Sequence, residues 1–475
     1  MRLAQKQWAS QPLEQRLTIL RRFRHTVASR PQQAIEAISG QLQRTAADTL
    51  AAELLPLLDA CKFLEAEAEE ILGTHRLGSH RRAFWLRGLQ AEVHRDPLGL
   101  VLLLAPFNYP LFLPGVQALQ ALAAGNCCIW KPAEGGAPVA RWMREMLVAS
   151  GLNPLLLHVA DPTMEAAQQL LRQGADKVFL TGSVATGQVV LRQLAESITP
   201  AVMELSGCDA VFVLPGADLD RVTKALVFGI QLNGGATCMA PRRVFVARPL
   251  LAELENRLTN ALREAKAVKV DPAVRNRLDF ALHDAQRQGA VLLLDGREHE
   301  EGGLRPTVLS NVTPGMQIAQ TETFAPVLSL LAWESEEDAL RAYEACPFAL
   351  TASIFGPERH AHAITCRIAA GTVLWNDLIV PTADARLPFG GRRRSGYGVT
   401  RGREGLLEMT AVKVVLRRRG YSTRHFQPTG EFHAEMFSGV IAGVHGDGFL
   451  VRWRGWLRAM RAAMRIDGNS GGKSE

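Results

Sequence analysis

The 475-residue sequence has no run of about 18 uncharged apolar residues, so a membrane-spanning helix is not expected. Met1 to Gln15 lack the apolar core and small-residue cleavage site of a secretory signal, which makes the cytoplasm the expected compartment. The seven cysteines form no CxxC pair and no Cys/His metal spacing. Their odd number and wide scatter imply neither a disulfide framework nor a metal site. No internal repeat of fixed period occurs, which argues against a solenoid or propeller. With 47% apolar and 21% charged residues, the composition also excludes wholesale disorder and a coiled coil.

The formal net charge is +7, and it is unevenly placed. Ten basic residues oppose five acidic ones between Arg417 and Glu475, so the tail alone holds +5. The main body is close to neutral, and nucleic-acid binding by it is not indicated.

Up to about Gly73 the apolar residues recur at helical spacing, as in Leu13, Leu17 and Leu20 or Leu57, Cys61 and Leu64. From Leu98 the pattern changes. Leu98 to Leu104 is a continuous apolar run, the mark of a strand buried on both faces. Strands at Cys127–Lys131, Leu155–Val159 and Lys177–Thr181 then alternate with helices at Leu111–Ala123, Val139–Ser150, Met164–Gln173 and Val184–Ala195. A second series runs from Ala210–Leu214 to Gly371–Trp375. Such alternation predicts an α/β fold of two lobes, each an open, largely parallel sheet flanked by helices. Pro388 to Gly398 reads as a loop, Val412 to Leu416 as a last strand, and Gly439 to Gly448 as a flexible hinge.

Four segments carry chemistry. Asn108, in Ala105-Pro-Phe-Asn-Tyr-Pro110, follows a buried strand, where open parallel sheets bind ligands; taken alone it reads first as a turn residue. Lys131 and Glu134 end the next strand and could serve a phosphate and a ribose, or form a surface charge pair. Gly182, Ser183 and Gly187 lie where a strand turns into a helix, a place suited to a pyrophosphate although the usual GxGxxG is absent. Cys238 stands behind Gly234 and Gly235 and could be an exposed nucleophile or an inert thiol; Glu204 could be its base or a strand-end acid.

In order, Pro-Phe-Asn-Tyr-Pro, Lys-Pro-Ala-Glu, Phe-Leu-Thr-Gly-Ser, Glu-Leu-Ser-Gly, Gly-Ala-Thr-Cys, Glu-Thr-Phe-Ala-Pro and Pro-Phe-Gly-Gly closely resemble the aldehyde dehydrogenase superfamily over about Gln15 to Leu416. The look is closest to its fatty and aromatic aldehyde branch. The resemblance implies an NAD-binding lobe over 1–205 (NADP also possible), a catalytic lobe over 206–400 and a return strand over 401–418 that pairs in a homodimer or higher oligomer; beyond it, 419–475 reads from its charge as a basic extension. It implies that Cys238 attacks a small-molecule aldehyde, that Asn108 and the Cys238 N–H hold the oxyanion, and that Glu204 activates the hydrolytic water. Lys131 and Glu134 match positions at the adenosine ribose, Gly182, Ser183 and Gly187 those under the pyrophosphate, and Glu322 and Phe324 those at the nicotinamide half. The product is then a carboxylic acid.

Three positions depart from the family pattern: Ala236 replaces a glutamine, Ala325 a glycine in Glu-x-Phe-Gly-Pro, and Ser206 a glycine. None removes a reacting group. Relatives that pass the thioester to coenzyme A tend to lack the base that Glu204 supplies, a reductive direction reuses the same cysteine, and a scaffold role would leave all three groups idle.

Phe449 to Ile466 reads as an amphipathic helix with Trp453, Leu457, Met460 and Met464 on one side and Arg454, Arg458, Arg461 and Arg465 on the adjoining flank. Two readings stand: peripheral contact with an anionic membrane surface, or packing on a partner subunit or the protein's own body.

Overall fold

The computed structural model describes residues 1–39, 42, 44–86, 88–297, 303–419, 426 and 428–470, the side chains of 467–470 excepted. Of the tail charges, Arg424, Asp467, Lys473 and Glu475 lie outside the described side chains. Two compact units are present: Met1–His75 with Glu92–Val415, and Arg76–Ala91 with Leu416–Glu475.

Two large sheets dominate the first unit. Strands β1 (Leu100–Leu104), β2 (Cys127–Lys131), β3 (Leu157–Val159), β4 (Lys177–Thr181) and β5 (Ala201–Glu204) run parallel in the order β5-β4-β1-β2-β3. Successive β1 side chains enter opposite cores, Val101 and Leu103 on one face and Leu102 and Leu104 on the other. An uninterrupted apolar run is what a strand covered on both sides requires. Gly396–Tyr397 adds a short antiparallel strand beside β5, pairing Gly396 with Glu204. The Pro388–Gly398 stretch expected to be a loop therefore contributes sheet pairing at the site; glycine at 396 lets its backbone press on Met203.

The second sheet contains β6 (Asp209–Val213), β7 (Pro241–Ala247), β8 (Val291–Leu294), β9 (Thr307–Ser310), β10 (Val327–Trp333), β11 (Thr351–Phe355) and β12 (Thr372–Trp375), in the order β8-β9-β10-β7-β6-β11-β12. Only the edge strand β8 is antiparallel to its neighbour. Again the alternation divides side chains between two cores, Phe212 and Phe245 against Val211 and Val244. Strand β9 had no counterpart in the sequence reading.

Helix α1 (Phe112–Ala123) is buried along nearly its whole length. Helix α2 (Val184–Ser197) starts at Ser183, whose hydroxyl accepts from Thr186 N at 3.1 Å. Helix α3 (Leu219–Gln231) is capped by Asp218, which accepts from the backbone of Asp220 and Arg221. No helix among the described residues is long and apolar enough to cross a membrane.

In the second unit, α4 (Glu431–His445) and α5 (Phe449–Ser470) form a hairpin. The flexible hinge expected at Gly439–Gly448 is thus mostly helix. Gly439 and Gly443 serve close approach: a Cβ on Gly439 would collide with the backbone of Ala459, and one on Gly443 would lie 3.0 Å from the Trp456 ring.

Candidate active site

Parallel register aligns Leu104 with Lys131 and Leu180, and Thr181 with Glu204. The loop with Asn108, the Lys131–Glu134 turn, the Gly182–Ser183 turn and Glu204 therefore leave one edge of the first sheet together. Chain direction then sets the second sheet against it, because only Leu205 to Cys208 separate β5 from β6. Strands β10, β7 and β6 are neighbours, and the loops entering them carry Glu322 and Phe324, Cys238, and Ser206.

Past the end of α3 come three residues with positive φ, Asn233 (53°), Gly234 (61°) and Gly235 (78°). Asparagine and glycine tolerate that conformation, and the resulting turn leaves Cys238 half-buried instead of in the core. Gly235 packs on Ala325, where a Cβ would fall 2.5 Å from the carbonyl carbon. Buried Arg242 donates to the carbonyls of both Gly235 and Ala325, clamping the Cys238 loop to the Glu322–Pro326 loop. Gly207 likewise leaves room for the Cys238 carbonyl, 2.5 Å from where a Cβ would be.

Asn108 is buried, and its amide donates to Ala236 O at 3.0 Å, two residues before Cys238. Tyr109 OH meets Thr237 Oγ1 at 2.8 Å. Behind them, Arg44 donates to Asn233 Oδ1 (2.7 Å), to the Asn108 carbonyl, and to fully buried Glu53 (2.8 Å). Glu53 also accepts from Leu111 N (3.2 Å) and Phe112 N (2.7 Å) at the start of α1. Burial pushes the Glu53 carboxyl up, and Arg44 with the two N–H donors pulls it back.

Glu204, buried at the end of β5, accepts from Thr181 Oγ1 at 3.1 Å and from Thr400 Oγ1. Burial raises its pKa against those hydrogen bonds and the nearby charge of Arg401. The Cys238 thiol is pushed well up by burial and by the negative charges of Asp209, Glu204 and Glu322, while Arg401 opposes them. Arg401 is itself buried, donates to Thr382 O at 2.6 Å, and lies over the Phe389 ring at 4.5 Å. Glu322 accepts from Gly207 N at 3.3 Å, and burial lifts its pKa to about 7. Phe324, at φ 45°, tilts against Phe107 with centroids 5.7 Å apart.

Lys131 is half-buried; burial lowers its pKa and Glu134, exposed beside it, raises it. Exposed Ser183 caps α2, and Gly187 brings that helix against Leu205, 2.8 Å from where a Cβ would be. A helix start after β4, with a cation and an acid at the end of β2 on the same sheet edge, fits a dinucleotide's phosphates and ribose.

A sequence profile of the aldehyde dehydrogenase family matches residues 1–415. The chain belongs to the aldehyde dehydrogenase family. It is an NAD(P)-dependent oxidoreductase that converts an aldehyde to the carboxylic acid. Among proteins similar to it, a 4,4'-diapolycopene aldehyde oxidase of a Methylomonas species is 28% identical over 96% of this chain and 88% of that protein. A betaine aldehyde dehydrogenase of Cereibacter sphaeroides is 31% identical over 87% and 86%. The aldehyde dehydrogenase of Mycobacterium tuberculosis complexed with NAD+ superposes with a TM-score of 0.80 at 26% identity, over 88% of each chain. An NADP-dependent glyceraldehyde-3-phosphate dehydrogenase of Bacillus halodurans complexed with NADP gives 0.80 at 26% over 88% and 89%.

The sequence reading missed Arg44, Glu53, Arg242, Thr400 and Arg401. None stands in a motif that marks it; each matters because the fold buries its polar group beside the site.

Proposed function

We propose that this aldehyde dehydrogenase oxidises a large apolar aldehyde through Cys238, with Glu204 as the hydrolytic base. The observation that carries the assignment is the hydrogen bond from Asn108 to Ala236 O, which brings the oxyanion donor to the nucleophile loop. Cys238 adds to the aldehyde carbon, and the second amide hydrogen of Asn108 with the Cys238 N–H steadies the resulting oxyanion. Bound NAD(P) supplies the hydride acceptor. Once the adduct carbon has given up its hydride to that acceptor it is a Cys238 thioester, and Glu204 takes a proton from the water that hydrolyses it, releasing the acid and the thiol. Arg401, the cation opposing the carboxylates around Cys238, favours the thiolate.

Lys131 and Glu134 would hold the adenosine ribose, Gly182, Ser183 and Gly187 the pyrophosphate, and Glu322 with Phe324 the nicotinamide half. A carboxylate at Glu134 repels a 2′-phosphate, so NAD is the preferred cofactor. These groups divide the main body into a cofactor lobe over 1–205 and a catalytic lobe over 206–400.

Two observations support an apolar substrate. The match to the diapolycopene aldehyde oxidase covers 96% of the chain and so runs past residue 415, where the family profile stops. The C-terminal helix exposes Trp453, Met460 and Met464 beside arginines, which favours the peripheral membrane contact of Phe449–Ile466 in a cytoplasmic enzyme. The exposed Val412, Val414 and Leu416 suit strand pairing in a homodimer.

Reduction of NAD and of NADP should be followed with aldehydes from acetaldehyde to long-chain and polyene aldehydes, for wild type and Cys238→Ala. Turnover that rises with chain length and vanishes in the variant supports the reading. Full turnover in Cys238→Ala, or activity confined to small charged aldehydes, would defeat it.

A further inference from the structure

Tail helix α5 is one of two basic segments in its compact unit. The fold joins to it a stretch more than 300 residues earlier in the chain, Arg76–Ala91, as part of one compact unit. Phe84 stands edge-on to Trp456 with ring centroids 5.2 Å apart, and Arg419 N donates to Gly88 O at 2.7 Å.

The hairpin closes through its small residues. Gly455, Ala459 and Ala462 of α5 are buried, and a Cβ on Gly455 would lie 2.7 Å from the Ala442 carbonyl carbon. Since the helices meet through glycine and alanine, the large apolar side chains point elsewhere. At 100° per residue, Leu450, Trp453, Met460 and Met464 share the sector away from α4, and Trp453 and Met464 are 54% and 68% exposed. Arg454, Arg458, Arg461 and Arg465 fill the adjoining sector, all exposed. The earlier stretch repeats the chemistry: Trp85 is 65% exposed, Arg76 and Arg81 are exposed, and no acidic residue occurs from 76 to 91.

We propose that Arg76–Ala91 and the α4–α5 hairpin together form a docking module for an anionic phospholipid surface. The proposal rests on the membrane contact assigned to Phe449–Ile466 and extends it to a second, separate patch. Tryptophan and methionine enter the headgroup–acyl boundary, and arginines beside them pair with lipid phosphates while their stems lie along the apolar sector. Nucleic acid would use the arginines and aromatics but has no use for an exposed Leu450, Met460 and Met464.

The test is co-sedimentation of the full chain with phosphatidylcholine vesicles, with and without phosphatidylglycerol. Wild type should bind the anionic vesicles at least about tenfold more tightly and lose that advantage in high salt. Arg81→Gln with Trp85→Ser should weaken binding about tenfold, as should Trp453→Ser with Arg458→Gln, and turnover of a short soluble aldehyde should remain in both as the check of folding. Wild-type binding by the Arg81/Trp85 variant, with loss in the Trp453/Arg458 variant, would overturn the two-patch module and leave the tail contact standing. No vesicle binding by wild type, or retention on duplex DNA instead, would overturn both.

Discussion

Arg44 Nε donates to Asn233 Oδ1 at 2.7 Å, tying the residues just before the short helix Ala46–Thr49 to the turn that presents Cys238. The same guanidinium holds the Asn108 carbonyl and the buried Glu53 carboxylate. Arg44→Met would leave Glu53 without its cation and should cost about 3–5 kcal/mol of stability. Denaturant unfolding measures that loss. Arg44→Lys restores the charge but not the three-way bridge, so it should recover stability more fully than kcat.

Replacing the two reacting groups separates the steps of turnover. Cys238→Ala should show neither a burst of reduced cofactor nor steady turnover. Glu204→Gln should keep the burst and lose about 10²–10⁴ in steady-state rate. Stopped-flow absorbance distinguishes them. A Glu204→Gln enzyme with normal steady turnover would remove Glu204 as the base.

The pH dependence follows from burial. Glu204 works as a base only when ionised, and its pKa is raised, so acyl hydrolysis should rise with pH through that raised value and then level off. Stability should run the other way. Asp209 and Glu322 have folded pKa values of about 7, raised by burial above their ordinary values of 3.8 and 4.5. The folded state therefore binds the extra protons, and their contribution is complete below about pH 4 and lost as pH rises through about 7. Asp209→Asn should flatten the fall in stability measured between these limits.

Gly235 combines φ 78° with a backbone neighbour in Ala325. Gly235→Ala should destabilise by about 1–3 kcal/mol and lower kcat by displacing the Cys238 loop. Thermal unfolding and burst amplitude report the two effects, and an unchanged burst would show that the loop tolerates the shift.

Removing the carboxylate at Glu134 should favour a 2′-phosphate. Glu134→Ser is expected to raise kcat/KM with NADP relative to NAD several-fold, read from parallel assays with one aldehyde.

The amino-acid sequence by itself determined the strand–helix alternation and the order of the motifs. Both are local: five apolar residues such as Leu100–Leu104 can be buried on two faces only in a covered sheet, and Asn233-Gly-Gly235 suits a turn of positive φ. Lys177–Thr181, Met164–Gln173 and Cys127–Lys131 were legible to the residue for that reason. Strand β9, a short segment of mixed Thr, Val, Leu and Ser, was not, since its strand form comes from pairing with β8 and β10.

The polar groups around the site depended on tertiary structure. Arg44, Arg242 and Arg401 read as ordinary surface arginines until the fold buries them against carbonyls, a carboxylate or an aromatic ring from distant segments. Periodicity places the large apolar side chains of α5 on one face, but not which face meets α4. Gly439, Gly443 and Gly455 decide that, because backbones approach most closely where side chains are missing, and the tryptophan and methionine face is left outward.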